Sequence, residues 1–316
     1  MARAVGARAQ LLASFEATYG VVPGSNWYQM PFARSALGSE QPLIDSELLG
    51  YGRDPLPPVR DALTADGSVT VPIDEASLGV WLKGAFGPPT TTGTGAERTH
   101  TWTTGSWSLP SLSIEVGLPE VPHFAMFRGC MVDTLGWSMQ RSGLTTMEVG
   151  LIAQTEVKAT ATAAGSPTTF GARRYGPFHG SILRGGTALA SIVSADIRYS
   201  NGLERVETIR ADGMIDGTDP GIASLGGSLV ARFADASLLD QAIAGTSTTL
   251  DFVYTLDATT AFSLTAHTVW LPRPRISIDG PGGVQATFDW QASRPSASGG
   301  GPMATIVLKN SRANYA

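Results

Sequence analysis

Cysteine, histidine and charge are all scarce in this chain, and each scarcity excludes something. The single cysteine, Cys130, rules out an intramolecular disulfide and fits folding in a reducing cytoplasm. It reads as a small buried hydrophobe, because nothing in the sequence places a base beside it to make a catalytic thiol. The four histidines, His100, His123, His179 and His267, stand at no metal-ligand spacing to one another or to Cys130. Each is expected to be a satisfied or exposed side chain. Neither a G-x-S-x-G elbow nor a G-x-x-x-x-G-K-[ST] phosphate loop occurs. A hydrolytic enzyme would need a nucleophile–base pair that cannot be named here. No catalytic residue, cofactor site or metal site is assigned.

Charged residues make up 16 % of the chain and leave a net charge of −5, so there is no basic footprint for nucleic acid. Residues 1–158 hold 10 Lys+Arg against 15 Asp+Glu, and residues 159–316 hold 12 of each. The acidity therefore lies in the first half. The N-terminal residues lack an apolar stretch of signal-peptide length. No run approaches the roughly 20 apolar residues of a membrane span. The chain is expected to be soluble and unprocessed, and a secreted carbohydrate-binding module is disfavoured.

What is present suits a β-protein. Hydrophobic residues reach 42 % and there are 37 glycines, enough apolar content for real cores and many turns. Residues 8–19 read as a short helix or an extended arm, and 41–53 as a strand with loop. Residues 54–66 carry three prolines and cannot be regular throughout. Ser68–Ile73 alternates as a strand. Asp74 then caps a helix over 75–85, with Leu78, Trp81, Leu82 and Ala85 on one face. Residues 88–99 (PPTTTGTGAERT) read as a polar loop of about 12 residues. Strands are expected at 100–103, 111–117, 124–139 and 144–157, and a linker or exposed strand at 158–170.

The second half runs similarly. Strands are expected at 189–199, 203–210 and 228–233, with Asp235 capping a helix at 236–244. Further strands are expected at 248–256, 261–271, 274–279, 284–290 and 303–309. Asp212, Asp216 and Asp219 sit in a turn-rich loop that lacks the alternating spacing of a calcium site. Gly280, Gly282 and Gly283 form a hairpin turn. Trp81, Trp137 and Trp290 read as core or inter-subunit packing.

The halves look like diverged copies. At an offset of 160 residues, Gly67-Ser68 matches Gly227-Ser228, and Ala76-Ser77-Leu78 matches Ala236-Ser237-Leu238. Ile73 falls opposite Phe233 and Leu82 opposite Ala242. Downstream, 111–120 is matched with 262–271. Two domains follow, 1–160 (an N-terminal arm plus a first β domain) and 161–316 (a second β domain). Two copies are too few for a solenoid and suggest pseudo-symmetry in a closed ring.

Three weak motifs in order carry a family resemblance. Residues 15–23 (FEATYGVVP) are similar to the "E-x-x-Y-G-x-x-P" opening of the tail tube (major tail) proteins of long-tailed, siphovirus-type bacteriophages. Residues 44–87 resemble that family's middle, and residues 111–139 its "y-x-G-c-x-v" hairpin. The resemblance implies an all-β dominated fold: a β-sandwich or half-barrel with one short flanking helix per copy, and two tandem tail-tube-like domains. It also implies a structural virion protein whose rings stack into a channel for genomic DNA.

Implied partners are other copies of the chain, the tape measure protein inside the tube, and the tail terminator and distal tail proteins at its ends. Double-stranded DNA would pass transiently, with no membrane involved. Implied location is the virion tail, assembled in the host cytoplasm. A fused pair of domains favours three chains per ring over the six of single-copy members. Residues 88–99, and then 54–66, are the expected stacking loops. The alternative is another structural virion protein, a capsid decoration or a baseplate or tail tip β-protein.

Overall fold

Alternating apolar and polar residues produce strands throughout the computed structural model, which describes residues 3–171, 173–233, 236–276, 283–296 and 300–315. In chain order the first half supplies β1 (Gln10–Phe15), β2 (Tyr28–Gln29), β3 (Arg34–Ser35), β4 (Gly38–Glu40), β5 (Leu43–Ile44), β6 (Val59–Arg60) and β7 (Thr64–Pro72). Helix α1 (Leu78–Phe86) follows, then β8 (Thr90–Thr94), β9 (Glu97–Thr103), β10 (Leu112–Leu118), β11 (His123–Gln140), β12 (Thr146–Ala153) and β13 (Thr155–Ala159). The second half supplies β14 (Thr168–Thr169), β15 (Gly180–Arg184), β16 (Thr187–Ala188), β17 (Ile192–Ser200), β18 (Leu203–Val206), β19 (Gly217–Pro220) and β20 (Ser224–Arg232). Helix α2 (Ser237–Ala244) is followed by β21 (Thr248–Asp257), β22 (Thr260–Trp270), β23 (Gln285–Ala292) and β24 (Ala304–Asn310). The fold is all-β dominated, as expected.

Two layers carry the strands. In the first, antiparallel pairing runs β7–β12–β11–β17–β20–β23. β3 and β4 extend it along β7, and the end of β22 (Val269, Trp270) extends it along β23. In the second layer, β13, the first part of β11, β10, β1 and β2 pair in that order. There, too, β15–β21–β22–β24–β9–β8 pair in sequence. One apolar core cluster contains residues of both halves, including Trp81, Trp137, Phe252, Phe262 and Trp290. The Trp137 and Phe262 rings, from β11 and β22, lie 5.9 Å apart.

β11 belongs to both layers. Its first part pairs with β10 and β13, and its second part with β12 and β17. The change of partners falls at Gly129, which has φ +60. The register against β10 shifts there by one extra residue, a β-bulge. Gly129 suits this place because the left-handed conformation costs it nothing.

The helix expected over 75–85 begins three residues later, at Leu78, with Ser77 and not Asp74 at its N-cap position, and the Asp74 carboxylate fixes the turn that leads into it. Its Oδ1 accepts the N–H groups of Ala76 and Ser77 at 2.8 and 2.6 Å and, at 3.3 Å, that of Leu78, the first orphan donor of the helix. Burial pushes the Asp74 carboxyl up, and these hydrogen bonds oppose it. The single apolar face expected for α1 is corrected: Gly79, Val80, Gly84 and Phe86 are buried as well. Only Lys83 reaches outward, with its ammonium 4.0 Å from the Phe15 ring centre. α2 buries only Leu238 and Ala242.

Other local expectations change. Of the two readings of 8–19, the extended one holds, with β1 following a 3-10 turn over Gly6–Arg8. Within 41–53 the strand is only the two residues of β5. The loop expected at 88–99 is the β8–β9 hairpin, turning at Gly95-Ala96. The loop at 212–221 contributes β19, which pairs with β18. The Asp235 cap, the Gly280–Gly282 turn and the end of the strand expected at 274–279 lie outside the described residues.

The two halves share a strand order. β3/β4–β7–β12–β11 and β17–β20–β23–β22 each occur in the first layer. β7 and β20 stand 160 residues apart, and each precedes a helix. After the helices, the pairing order sets β10 beside β21 and β11 beside β22, so the spacing shortens by about one hairpin. The β8–β9 hairpin, present only in the first half, accounts for it. The match of 111–120 with 262–271 therefore does not follow the strand order. No gap in pairing falls at 160/161: β24 pairs with β9, and β17 with β11.

Candidate assembly surfaces

The N-terminal motif ties the chain start to the bulge. The Glu16 carboxylate accepts the Gly20 N–H at 2.7 Å, the Ser111 and Ser113 hydroxyls at 2.7 and 2.6 Å, and the Gly129 N–H at 2.9 Å. Tyr19 lies against Gly129, leaving no room for a Cβ there. Glu, Tyr and Gly of the motif thus form one structural clasp.

The outward face of the β7–β12–β11–β17–β20–β23 sheet is polar and short-chained. Strand alternation puts Leu135, Trp137 and Met139 into the core and Thr134, Gly136, Ser138 and Gln140 outward. Ser68, Thr70, Thr146, Ser194, Ser200, Ser224 and Thr287 continue this face. Its charges are Asp66, Glu148, Asp196 and Asp289 against Arg198 and Arg232, with Glu40 and Arg34 added where β4 and β3 extend the sheet. Several carboxylates are oriented locally: Ser68 donates to Glu148 at 2.7 Å, Ser138 to Asp196, and Arg205 pairs with Asp66. The acidity was expected in the first half, yet Asp196 and Asp289 bring the second half equally onto this face.

The strand registers define two ends. At one lie Ala65, Ala153, Ser200 and Ser224; at the other, Pro72, Thr146, Gln140 and Ser194. From the first end projects an arm, the β5–β6 pair and the residues it encloses. Leu43, Ile44, Leu48, Leu49, Tyr51 and Val59 are exposed on it, Leu49 to 93 %. The β18–β19 hairpin stands at the same end, where the Leu63 N–H donates to the Gly213 carbonyl at 3.1 Å. Residues 88–99 lie apart from this arm, in the β8–β9 hairpin, and only the 54–60 part of the other expected loop belongs to it.

The residues singled out from sequence fall elsewhere. Cys130 is fully buried, and burial raises its thiol pKa well above normal. His100 is buried, with Nδ1 2.8 Å from Thr91 Oγ1 and Nε2 3.1 Å from Asn310 Oδ1. His267 Nε2 lies 2.8 Å from the Thr305 hydroxyl. His179 Nδ1 accepts the Gly176 N–H at 2.8 Å, and His123 is half-buried at the start of β11. Asp212 and Asp216 both bind Arg210, at 2.8 and 2.6 Å, and Asp219 lies in β19. Among the described residues no cluster of three or more His, Cys, Asp or Glu could hold a metal ion. Trp81, Trp137 and Trp290 are buried in the core.

Asn201 went unnoticed in the sequence and is a second clasp. Its Nδ2 donates to the Ala85 and Val132 carbonyls at 3.0 and 2.9 Å, and its Oδ1 accepts the Tyr199 hydroxyl at 2.7 Å. Little local signal marks it, since two of its three partners, Ala85 and Val132, are far away in the chain.

A sheet with one polar face and a projecting apolar arm offers surfaces suited to assembly. No curated protein matches the chain. The family model for phage tail tube protein matches it over residues 6–292, nearly its whole length, and the chain belongs to the phage tail tube protein family.

Proposed function

We propose that three copies of this chain close into a ring, and that stacked rings form the tail channel through which double-stranded DNA leaves the virion. The observation that carries this reading is the β11–β17 seam. It joins the units β3/β4–β7–β12–β11 and β17–β20–β23–β22 over seven antiparallel pairs, Thr134↔Ser200 to Gln140↔Ser194. The edges left at the two sides are β3/β4 and β23, which β22 covers only at Val269 and Trp270, Val269 being paired with Thr248 of β21 on its other side. Pairing the β22/β23 side of one copy with β3/β4 of the next would continue the sheet from chain to chain, so three chains supply six units and the barrel closes without a free edge. On this reading the chain is a duplicated tube domain, divided near 160/161.

The polar outward face is the lumen. Its many Ser, Thr and Gly residues leave few apolar groups, such as Ile152 and Val230, to grip DNA, and its carboxylates repel phosphates. The protein has no catalytic role. It meets the tape measure protein inside the tube and terminator and distal tail proteins at its ends, and it assembles in the host cytoplasm. Native mass measurement of isolated rings tests the count: three chains of 33.0 kDa each are expected, with threefold averages in negative stain. A six-chain ring overturns the trimer, and a protein that stays monomeric under every condition overturns the ring.

A further inference from the structure

The two ends of the first-layer sheet carry opposite charge. Residues 41–63 and 201–223, both at the arm end, hold nine Asp or Glu and four Arg. Their net −5 equals the formal charge of the whole chain. At the opposite end Arg141, Arg173, Arg174 and Arg232 are exposed. Three carboxylates there are engaged: Asp74 is buried against the N–H groups ahead of α1, and Glu75 and Asp257 bind Arg173 at 3.1 and 2.7 Å. This end also has exposed apolar side chains, Leu144 at 80 % and Phe178 at 92 %. Beside Leu144 runs a groove of about 280 Å³ lined by Phe32, Tyr175 and Pro177, with Arg174 and His179 at its polar side.

We infer that the arm of one copy docks into this groove on a second copy. Leu48 and Leu49 enter between Phe32, Leu144 and Pro177, and Asp45 and Glu47 face Arg141 and Arg174. The inference rests on the stacked-ring reading and names the partner surface of that stack. Each copy has one arm end and one groove end, so the contact is head-to-tail and repeats indefinitely along an axis. Exposed apolar residues on the arm would be covered, and the surrounding charges set polarity and rate of association more than final affinity. Such exposed pairs weaken as salt rises.

Two experiments test it on the full chain. In the first, Leu49→Cys is combined with Leu144→Cys; buried Cys130 does not compete. Mild oxidation is expected to give a disulfide ladder beyond dimers, while each single variant stops at dimers. No ladder from a double variant that still forms tubes overturns the docking. In the second, Arg141→Glu with Arg174→Glu is expected to leave rings but abolish stacking at least tenfold. Adding Asp45→Arg and Glu47→Arg should restore it. Unchanged stacking in the charge-reversed variant, or wild-type rings whose stacking ignores salt, overturns the docking. Loss of rings in that variant also overturns it, because the contact would then be lateral. Absence of rings in the wild type would instead sink the ring reading.

Discussion

Glu16 accepts the N–H of Gly129 at 2.9 Å across 113 residues of chain, at the residue where β11 exchanges one set of partner strands for the other. The bond joins the N-terminal segment to the junction of the two layers. Because the same carboxylate also accepts from Gly20, Ser111 and Ser113, its loss leaves several donors unpaired at once. Glu16→Ala is expected to destabilise the protein by about 2–4 kcal/mol. Glu16→Gln should cost less, since its amide oxygen keeps part of the acceptor set. Urea titration of the monomer decides it, and equal stability of all three proteins would refute the clasp.

Gly129 itself should resist substitution far more than a turn glycine with open space around it. At φ +60 with the Tyr19 ring alongside, Gly129→Ala brings both backbone strain and overlap, about 2–4 kcal/mol together. Gly95, at φ +63 with open space around it, is the control. Gly95→Asn should change the melting temperature little.

Gly79 and Tyr315 predict a coupled pair. A Cβ at Gly79 would overlap the Tyr315 ring. That ring is held by its hydroxyl, which donates to the Ala76 carbonyl at 2.9 Å and accepts from Asn310 at 2.7 Å. Gly79→Ala should expel the tail from its seat. In a double-mutant cycle, Gly79→Ala should cost far less in a Tyr315→Ala background, with an interaction energy of about 1 kcal/mol or more. Additive effects would show that the tail yields freely.

His100 predicts an acid dependence. Burial lowers its pKa below the usual 6.5, so the unfolded chain binds the proton more readily than the native one. Stability is then fully present above pH 6.5 and falls as pH drops from there toward the lowered native value. Thermal melts at steps from pH 7.5 to 5 should show this loss, and His100→Gln should flatten it within that interval. An unchanged slope would place the titration on other groups.

Local signals made much of the fold legible. Alternation marked β7 and most later strands, and Asp74 marked the turn into α1, because strand period and the hydrogen bonds at a helix start act between near neighbours. The Glu16–Tyr19–Gly20 motif was visible, but its purpose depended on Gly129. Residues 88–99 read as a loop because Thr and Gly in a polar stretch carry little apolar signal. They form a hairpin because β9 pairs with β24, about two hundred residues later. α1 was read from a single stripe, yet Tyr315, Val132 and Leu112 close over its small residues Gly79 and Gly84.

By itself the sequence determined the β-rich class, the position of both helices, and the three motifs that resemble tail tube proteins. All of these depend on residue type and short spacing. Only the tertiary structure decided which faces and ends these elements share. The antiparallel register of β7, β17 and β20 brings loops 41–63 and 201–223 to one end and the arginines of 141 and 173–174 to the other. Asp196 and Asp289 reach the same polar face as Asp66 and Glu148 for the same reason. Charge separation of this kind arises from pairing between distant segments, which no local pattern encodes.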